Sequence, residues 1–376
     1  MGTGGQSGLP TPVSPSSRKQ RPDVGTWNGV RIAPGDNAEV HITISESYSG
    51  MSLNVPVYVR RAMAPGPTVF VTAAVHGDEI NGVESIRSLI TERRFELQTG
   101  ALVLVPVVNL LGFERHSRYL PDRRDLNRCF PGSKNGSVAS RQAQAIMEAV
   151  VARCDYGIDL HTAAVRRTNF PNIRADMTHP GLAPFARAFG TELIVSGKGP
   201  QGSLRTVATR RGCPTLVFEA GETWKVERTV VEYTLRGVRN CLVHLGMVAG
   251  DIEQPPYRLE TDTTKWIRAR HGGFLQFHVA PGDLVEEGEA IATNTSLLGH
   301  KLSAVNSPRS GIVLGMTTMP SVAPGDPICH LAFAKGGALR RAEKAHQEMS
   351  EESLHERARE DMASGVLINE VDDQPA

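Results

Sequence analysis

Four polar stretches of this chain carry residue types that can do chemistry, and each follows the end of an apolar strand. The first reads Val-Thr-Ala-Ala-Val-His-Gly-Asp-Glu over residues 71–79. An apolar, β-branched run, Val69 to Val75, stops at His76. From Ile80 to Leu89 the apolar residues fall at helical spacing. His76 and Glu79 therefore stand where a strand hands over to a helix. In α/β sheets the carboxyl end of a strand is where ligands bind. A His and a Glu three residues apart on such a turn can close on one metal ion. A neutral nitrogen with an anionic oxygen is a donor mix that suits zinc. The plainer reading is a capping turn, with Glu79 favoured beside the positive end of the helix.

His161 ends a second short strand, Tyr156 to Leu160. Together His76, Glu79 and His161 would make a His₂Glu zinc site with an open fourth position, the pattern of catalytic zinc. Zinc in such a site lowers the pKa of its water and polarises a carbonyl oxygen. Asp159 faces the same side of the strand as His161 and can orient it. The alternative is a core histidine under a hydrogen bond. Glu219 ends a third strand, Thr215 to Phe218. Hydrolysis needs a proton shuttle outside the metal's ligands, and Glu219 suits that role. Glu222 is its nearest rival, and Glu219 is preferred for its strand-end place; the plainer reading of Glu219 is an ion pair with an arginine. The fourth stretch, 115–132, holds Arg115, Arg118, Arg123, Arg124 and Arg128. Arginine forks grip carboxylates and stabilise oxyanions. The alternative is a solvated loop paired with Asp122 and Asp125, and Arg123 fits that better.

The elements that must position these residues are legible in part. Trp27–Ile32 and Ala38–Ser45 alternate apolar and polar residues, as edge strands do. Val55–Arg60 is a short strand, Pro65-Gly66-Pro67 a hard break, and Thr68–Val75 the strand that delivers His76. Ala101–Val108 is apolar on both faces, which places it centrally in a helix-covered sheet, with Pro106 near its end. Helices are expected over Val138–Arg153, Leu182–Phe189, 202–211 and Glu227–Leu245, and a strand over Glu192–Val195. Residues 165–179 read as a pocket-building loop. Strands alternating with helices predict an α/β fold with a mixed central sheet flanked by helices. Past a composition shift at 253–256, short strands and Pro-Gly-Asp turns predict a small C-terminal all-β domain. The expected organisation is a disordered arm (1–25), a catalytic domain (26–252), the β domain (257–336) and a charged tail (337–376). That tail reads as one exposed helix or as disorder.

Composition sets the bounds. A chain of 376 residues is long enough for two domains and a sizeable core. A 40% hydrophobic content with a net charge of +1 gives no support for a nucleic-acid partner. No apolar run approaches the ~20 residues that span a bilayer. The Gly-, Ser- and Pro-rich start lacks the apolar segment of a secretory signal. The five cysteines are scattered and form no Cys-x-x-Cys, which fits a reducing cytoplasm.

Four motifs, in order, carry a resemblance. They are His76-Gly77-Asp78-Glu79, Asp125-Leu126-Asn127-Arg128-Cys129-Phe130-Pro131-Gly132, Asp159-Leu160-His161-Thr162 and Phe218-Glu219-Ala220-Gly221-Glu222. Over about residues 40 to 335 the chain resembles the succinylglutamate desuccinylase/aspartoacylase family, a deacylase branch of the zinc carboxypeptidase superfamily. The resemblance implies one zinc ion held by His76, Glu79 and His161, with Glu219 activating the water. It implies that Asn127 and Arg128 bind the substrate carboxylate. Arg118 would stabilise the oxyanion, and Arg205 would read a second carboxylate. The spacing around Arg118 and between Arg205 and Glu219 is longer here than in aspartoacylases. The family's active-site tyrosine from the C-terminal domain has no evident counterpart.

The expected function is a zinc-dependent amidohydrolase acting on a small N-acyl amino acid. A zinc carboxypeptidase or ester hydrolase is the alternative, because a peptide C-terminus also presents a carboxylate. A third reading comes from the C-terminal β unit, which resembles a biotinyl/lipoyl barrel-sandwich and would make Lys301 a carrier lysine. The Gly-His-Lys-Leu-Ser context of Lys301 lacks the flanking residues of such a site. A zinc-binding protein without catalysis would have no use for Glu219. The oligomeric state is open, and a homo-oligomer is compatible with the sequence.

Overall fold

The protein is described from a computed structural model covering residues 23–46, 49–334, 336–363 and 368. The expected N-terminal arm lies almost wholly outside these residues.

A hairpin of β1 (Thr26–Trp27) and β2 (Val30–Arg31) opens the chain, so the stretch read as one edge strand folds back on itself. Asn28 and Gly29 form its turn with φ of 45° and 81°, the left-handed pair that a two-residue hairpin requires. β3 (Asn37–Glu46), β4 (Ser52–Arg61) and β5 (Ala64–Ala73) follow. Pro65-Gly66-Pro67 is no break. It lies inside β5, where the pairing register with the next strand slips between Ala64 and Thr68. Then come α1 (Asn81–Thr91), β6 (Thr99–Val105), the short α2 (Leu110–Phe113), α3 (Val138–Ala149) and β7 (Tyr156–His161).

β8 (Arg167–Ala175) occupies the stretch read as a loop. It is followed by α4 (Ala183–Phe189), β9 (Leu193–Ser196), α5 (Leu204–Arg210), β10 (Thr215–Gly221) and α6 (Arg228–His244). The C-terminal region holds β11 (Leu259–Thr261), β12 (Thr264–Arg268), β13 (Gly273–Phe277), β14 (Leu284–Val285) and β15 (Ala290–Thr295). β16 (Lys301–Asn306), β17 (Gly311–Thr317), β18 (Ser321–Val322) and β19 (Pro327–Ala332) complete it, before α7 (Gly336–Gln347) and α8 (Leu354–Ala363).

The central sheet runs β12-β19-β17-β8-β10-β7-β5-β6-β4-β3, with β9, β11 and β14 paired at its side. Its middle four strands, β10, β7, β5 and β6, are parallel. β5 and β6 are mostly apolar over their buried lengths because both faces are covered there. Val69, Val71 and Ala73 pack into one core layer with α1, α4 and α6; Phe70 and Val75 pack into the other with α3 and α5. Each fully buried Val, Leu, Ile or Phe contributes roughly 1.5–3 kcal/mol. Gly82 lets α1 approach the sheet. A Cβ there would stand 2.7 Å from that of Leu160 and 2.8 Å from that of Ala73.

The C-terminal antiparallel region is joined to this sheet. β17 pairs with β8, and β19 and β12 extend the same ladder. A separate four-stranded sheet, β16-β15-β13-β18, lies beyond, and the exposed Lys301 opens its edge strand β16. The charged tail is neither one exposed helix nor disorder through residue 363. α7 and α8 bury Leu339, Ala342, Ala358 and Met362 against the main core. All five cysteines are free thiols. Among the described residues no helix is long and apolar enough to cross a membrane.

Candidate active site

β5, β7 and β10 lie side by side and point the same way, so their carboxyl ends share one edge of the sheet. Beyond β5 the chain turns sharply. Ala74 has a φ of 47°, and the backbone N–H groups of Val108 and Asn109 donate to the carbonyls of Ala73 and Ala74. That turn swings His76 over the edge. Gly77 permits it, since a Cβ there would meet the backbone of Gly112 at 2.0 Å. Glu79 N–H donates to the His76 carbonyl at 3.1 Å, which tightens the turn before α1.

The two histidines and Glu79 converge. His76 Nδ1 lies 2.7 Å from Glu79 Oε1, and His161 Nδ1 lies 2.8 Å from Glu79 Oε2. All three residues are buried, at 2–6% exposure. The outward ring nitrogens are each held by a carboxylate. His76 Nε2 is 3.2 Å from Asp125 Oδ1, and His161 Nε2 is 2.9 Å from Asp159 Oδ2. Asp159 is itself fixed by a hydrogen bond from Thr72 Oγ1 at 2.8 Å. Such outer carboxylates set the tautomer of metal-binding histidines and raise their basicity.

The electrostatics show what this cluster suits. Burial works against charge on Glu79, yet the two imidazoles outweigh it and hold its carboxyl well below the usual range. Burial likewise disfavours charge on His161, but Asp159 and Glu79 overcome it and push the imidazole well up. His76 is raised in the same way, by Glu79 and Asp125 against burial. Three carboxylates around two rings therefore demand positive charge. Donor atoms of His76, Glu79 and His161 all lie within 4.8 Å of one another, so one divalent cation fits the set.

Glu219 stands in β10 directly beside His161 in β7. Asn169 Nδ2 donates to its Oε2 at 2.8 Å, and Arg174 Nε lies 3.3 Å from its Oε1. Glu222 does not line the same cavity; its carboxylate pairs with Lys225 at 3.2 Å. Arg118 reaches into the cluster. Its Nη1 is 3.3 Å from Glu79 Oε1, and its Nη2 donates to Asp125 Oδ2 at 3.1 Å.

His76, Glu79, His161, Arg118 and Glu219 line one cavity of about 200 Å³. The other three residues singled out by resemblance do not. Asn127 Oδ1 accepts from the N–H of Leu204 at 2.9 Å and so caps α5. Arg128 lines a neighbouring cavity of about 430 Å³ with Phe130 and Gln201. Arg205 lines a third, of about 230 Å³, with Lys198 and Asp176. Burial first, and Arg174 second, push the Arg205 guanidinium down to about 10.

Beside the short turn after His161, the cavity is lined by Arg167, Asn169, Arg174, Trp266 and His330. The first three sit on β8, whose polar composition hid it among loops. Trp266 of β12 and His330 of β19 stack at 4.6 Å with an 11° interplanar angle, and Arg167 lies 4.9 Å over the Trp266 ring. An aromatic wall from the C-terminal region thus stands in the place where no tyrosine was evident. Its one signal in sequence is a tryptophan and a histidine in otherwise ordinary strands.

A histidine–glutamate–histidine cluster at the ends of parallel strands, with a carboxylate beside it in the same cavity, is the equipment of a hydrolase. Comparison with known proteins agrees. Residues 65–245 match the succinylglutamate desuccinylase/aspartoacylase catalytic domain. The N-α-acetyl-L-2,4-diaminobutyric acid deacetylase of Halomonas elongata is 28% identical over 292 residues, which is 74% of this chain and 85% of that protein. A succinylglutamate desuccinylase/aspartoacylase structure from Rhodobacter sphaeroides is 25% identical with a TM-score of 0.69, covering 80% of this chain and 96% of that one. The product-bound ectoine utilization protein of Ruegeria pomeroyi shares the fold at a TM-score of 0.68 and 22% identity, over 79% of this chain and 95% of its own. These findings support the succinylglutamate desuccinylase/aspartoacylase family for this chain. Similarity to these deacylases supports hydrolysis of an amide bond as its chemistry.

Proposed function

We propose that this protein is a zinc-dependent deacylase that cleaves the amide bond of a small N-acyl amino acid. The observation that carries this reading is the convergence of both Nδ1 atoms on Glu79, with Glu219 beside them in one cavity. His76, Glu79 and His161 would hold the ion, which when bound supplies Lewis acidity and an acidified water. Glu219 takes a proton from the attacking water and returns it to the leaving amine. Asn169 and Arg174 fix the orientation of that carboxylate. Arg118 offers guanidinium donors to the oxyanion.

Substrate binding rests on the cations and the aromatic wall. Arg167 and Arg174 face the cavity and suit a carboxylate, and the Trp266–His330 stack suits the substrate's flat or apolar part. Arg205 is electrostatically coupled to Arg174, Asn127 caps the helix that carries Arg205, and Arg128 lines a separate cavity. A cavity near 200 Å³ is small beside the roughly 300–1,000 Å³ of typical ligand pockets, which favours a metabolite over a peptide. The Halomonas elongata relative acts, by its name, on an acetylated diamino acid, and a compound of that class is the first choice here.

The test is amine release from a panel of N-acyl amino acids, with acetyl, succinyl and longer chains on acidic, basic and neutral amines. Each is run with and without a zinc chelator. Chelator-sensitive release from one member is expected. Cleavage of C-terminal peptides or esters with silence across the panel would overturn the proposal.

A further inference from the structure

A second cluster of metal-ligating groups lies in the C-terminal helices, beyond the matched catalytic domain. His355 opens α8 and is 2% exposed. Neither of its ring nitrogens has a hydrogen-bond partner among the described residues. A buried polar atom left unpaired costs about 1–3 kcal/mol, so an imidazole orphaned at both nitrogens calls for a physical account.

Its neighbours supply one. His346, on α7, stands with its ring centroid 5.6 Å from that of His355 and nearly perpendicular to it. Glu356 Oε1 lies 3.3 Å from His346 Nδ1 and 4.0 Å from His355 Nε2. Donor atoms of His346, His355 and Glu356 all fall within 4.8 Å of one another. Four-coordinate zinc with bonds of about 2.0–2.1 Å needs donors roughly 3.3–3.5 Å apart, so small side-chain rotations close the set. The opposite nitrogen of His355 faces Glu192 Oε1 at 3.9 Å. Glu192 is held in turn by Tyr233, whose hydroxyl donates to the carboxylate at 3.1 Å. A carboxylate behind a ligating imidazole is the arrangement that orients metal-bound histidines. The second oxygen of Glu356 is left to Arg359, 3.8 Å away.

We propose that His346, His355 and Glu356 form a second zinc site that clamps α7 to α8. Two imidazoles and a carboxylate are a borderline donor set that favours zinc over the harder magnesium and calcium. His346 contributes from a side chain that is 34% exposed, so water can take the fourth position and the ion can enter from solvent.

The experiment is metal counting on the untagged full chain, saturated with zinc and then desalted. The wild type is compared with His346→Ala, Glu356→Gln and His76→Ala. Two zinc ions per chain are expected in the wild type and one in each variant. Zinc should raise the melting temperature of His76→Ala, whose tail site is intact, and fail to do so in the double variant His76→Ala/His346→Ala. The quantity that decides is the difference between wild type and His346→Ala. If it is one ion, the tail site exists, even where His76→Ala shows the active site to be metal-free. If His346→Ala and Glu356→Gln keep the wild-type count, the inference is wrong, whatever the active site binds.

Discussion

Replacing His330 with glutamine should flatten the acid-side loss of stability. His330 stacks on Trp266 at the wall of the cavity, with Arg174 and Arg167 as its charged neighbours. Burial first, and the two arginines second, push its pKa down to about 3, from an ordinary value of 6.5. The sign follows from linkage. The folded value is the lower one, so the unfolded chain takes the proton first. The stability this residue lends is complete above pH 6.5 and is lost as pH falls from there toward 3. Between pH 7.5 and pH 5.0 the loss comes to about 2 kcal/mol. Glutamine is neutral at both pH values and keeps a flat amide against the indole. With an unfolding entropy of roughly 2.1 cal/mol/K per residue, 2 kcal/mol in 376 residues corresponds to about 2–3 °C. The assay is thermal unfolding of both proteins at the two pH values, at equal zinc. The wild type should lose about 2–3 °C more than the variant on going to pH 5.0. Equal losses would refute the reasoning and mean that His330 is protonated or solvated in the folded state.

Glu219→Gln removes the proton acceptor without removing a metal donor; turnover should fall by about 10²–10⁴-fold with zinc content unchanged, and intact turnover would dismiss Glu219 as the shuttle. Gly82→Ala places a methyl against Leu160 and Ala73. It should cost roughly 1–3 kcal/mol in urea unfolding and lower activity as well, because Glu79 sits just ahead of the displaced helix.

Much of the site was legible because its clues are local. His76, His161 and Glu219 each end a short, largely apolar strand, with Glu79 on the turn after the first, and the side-chain pattern shows where each strand stops. The helix after Glu79 is read from five apolar residues on one face. β8 was illegible for the opposite reason. Its Asn169 and Asn172 are buried polar residues that donate to Glu219, some fifty residues away in the chain. Without that partner a strand of that composition looks like a loop. The tail misled in the same way, since the charge on its outer faces outweighs the few residues it buries.

The sequence by itself determined which side chains stand at the strand ends, the alternation of strand and helix, and the His-Glu-His donor set. Those follow from side-chain period and turn chemistry over a few residues. Only the tertiary structure decided that β8 enters the sheet beside β10, that Trp266 and His330 wall the cavity, and that the cavity's lining does not include Asn127, Arg128 or Arg205. Each of those depends on pairing between strands and loops far apart in the chain, and a pairing register is set by both partners at once.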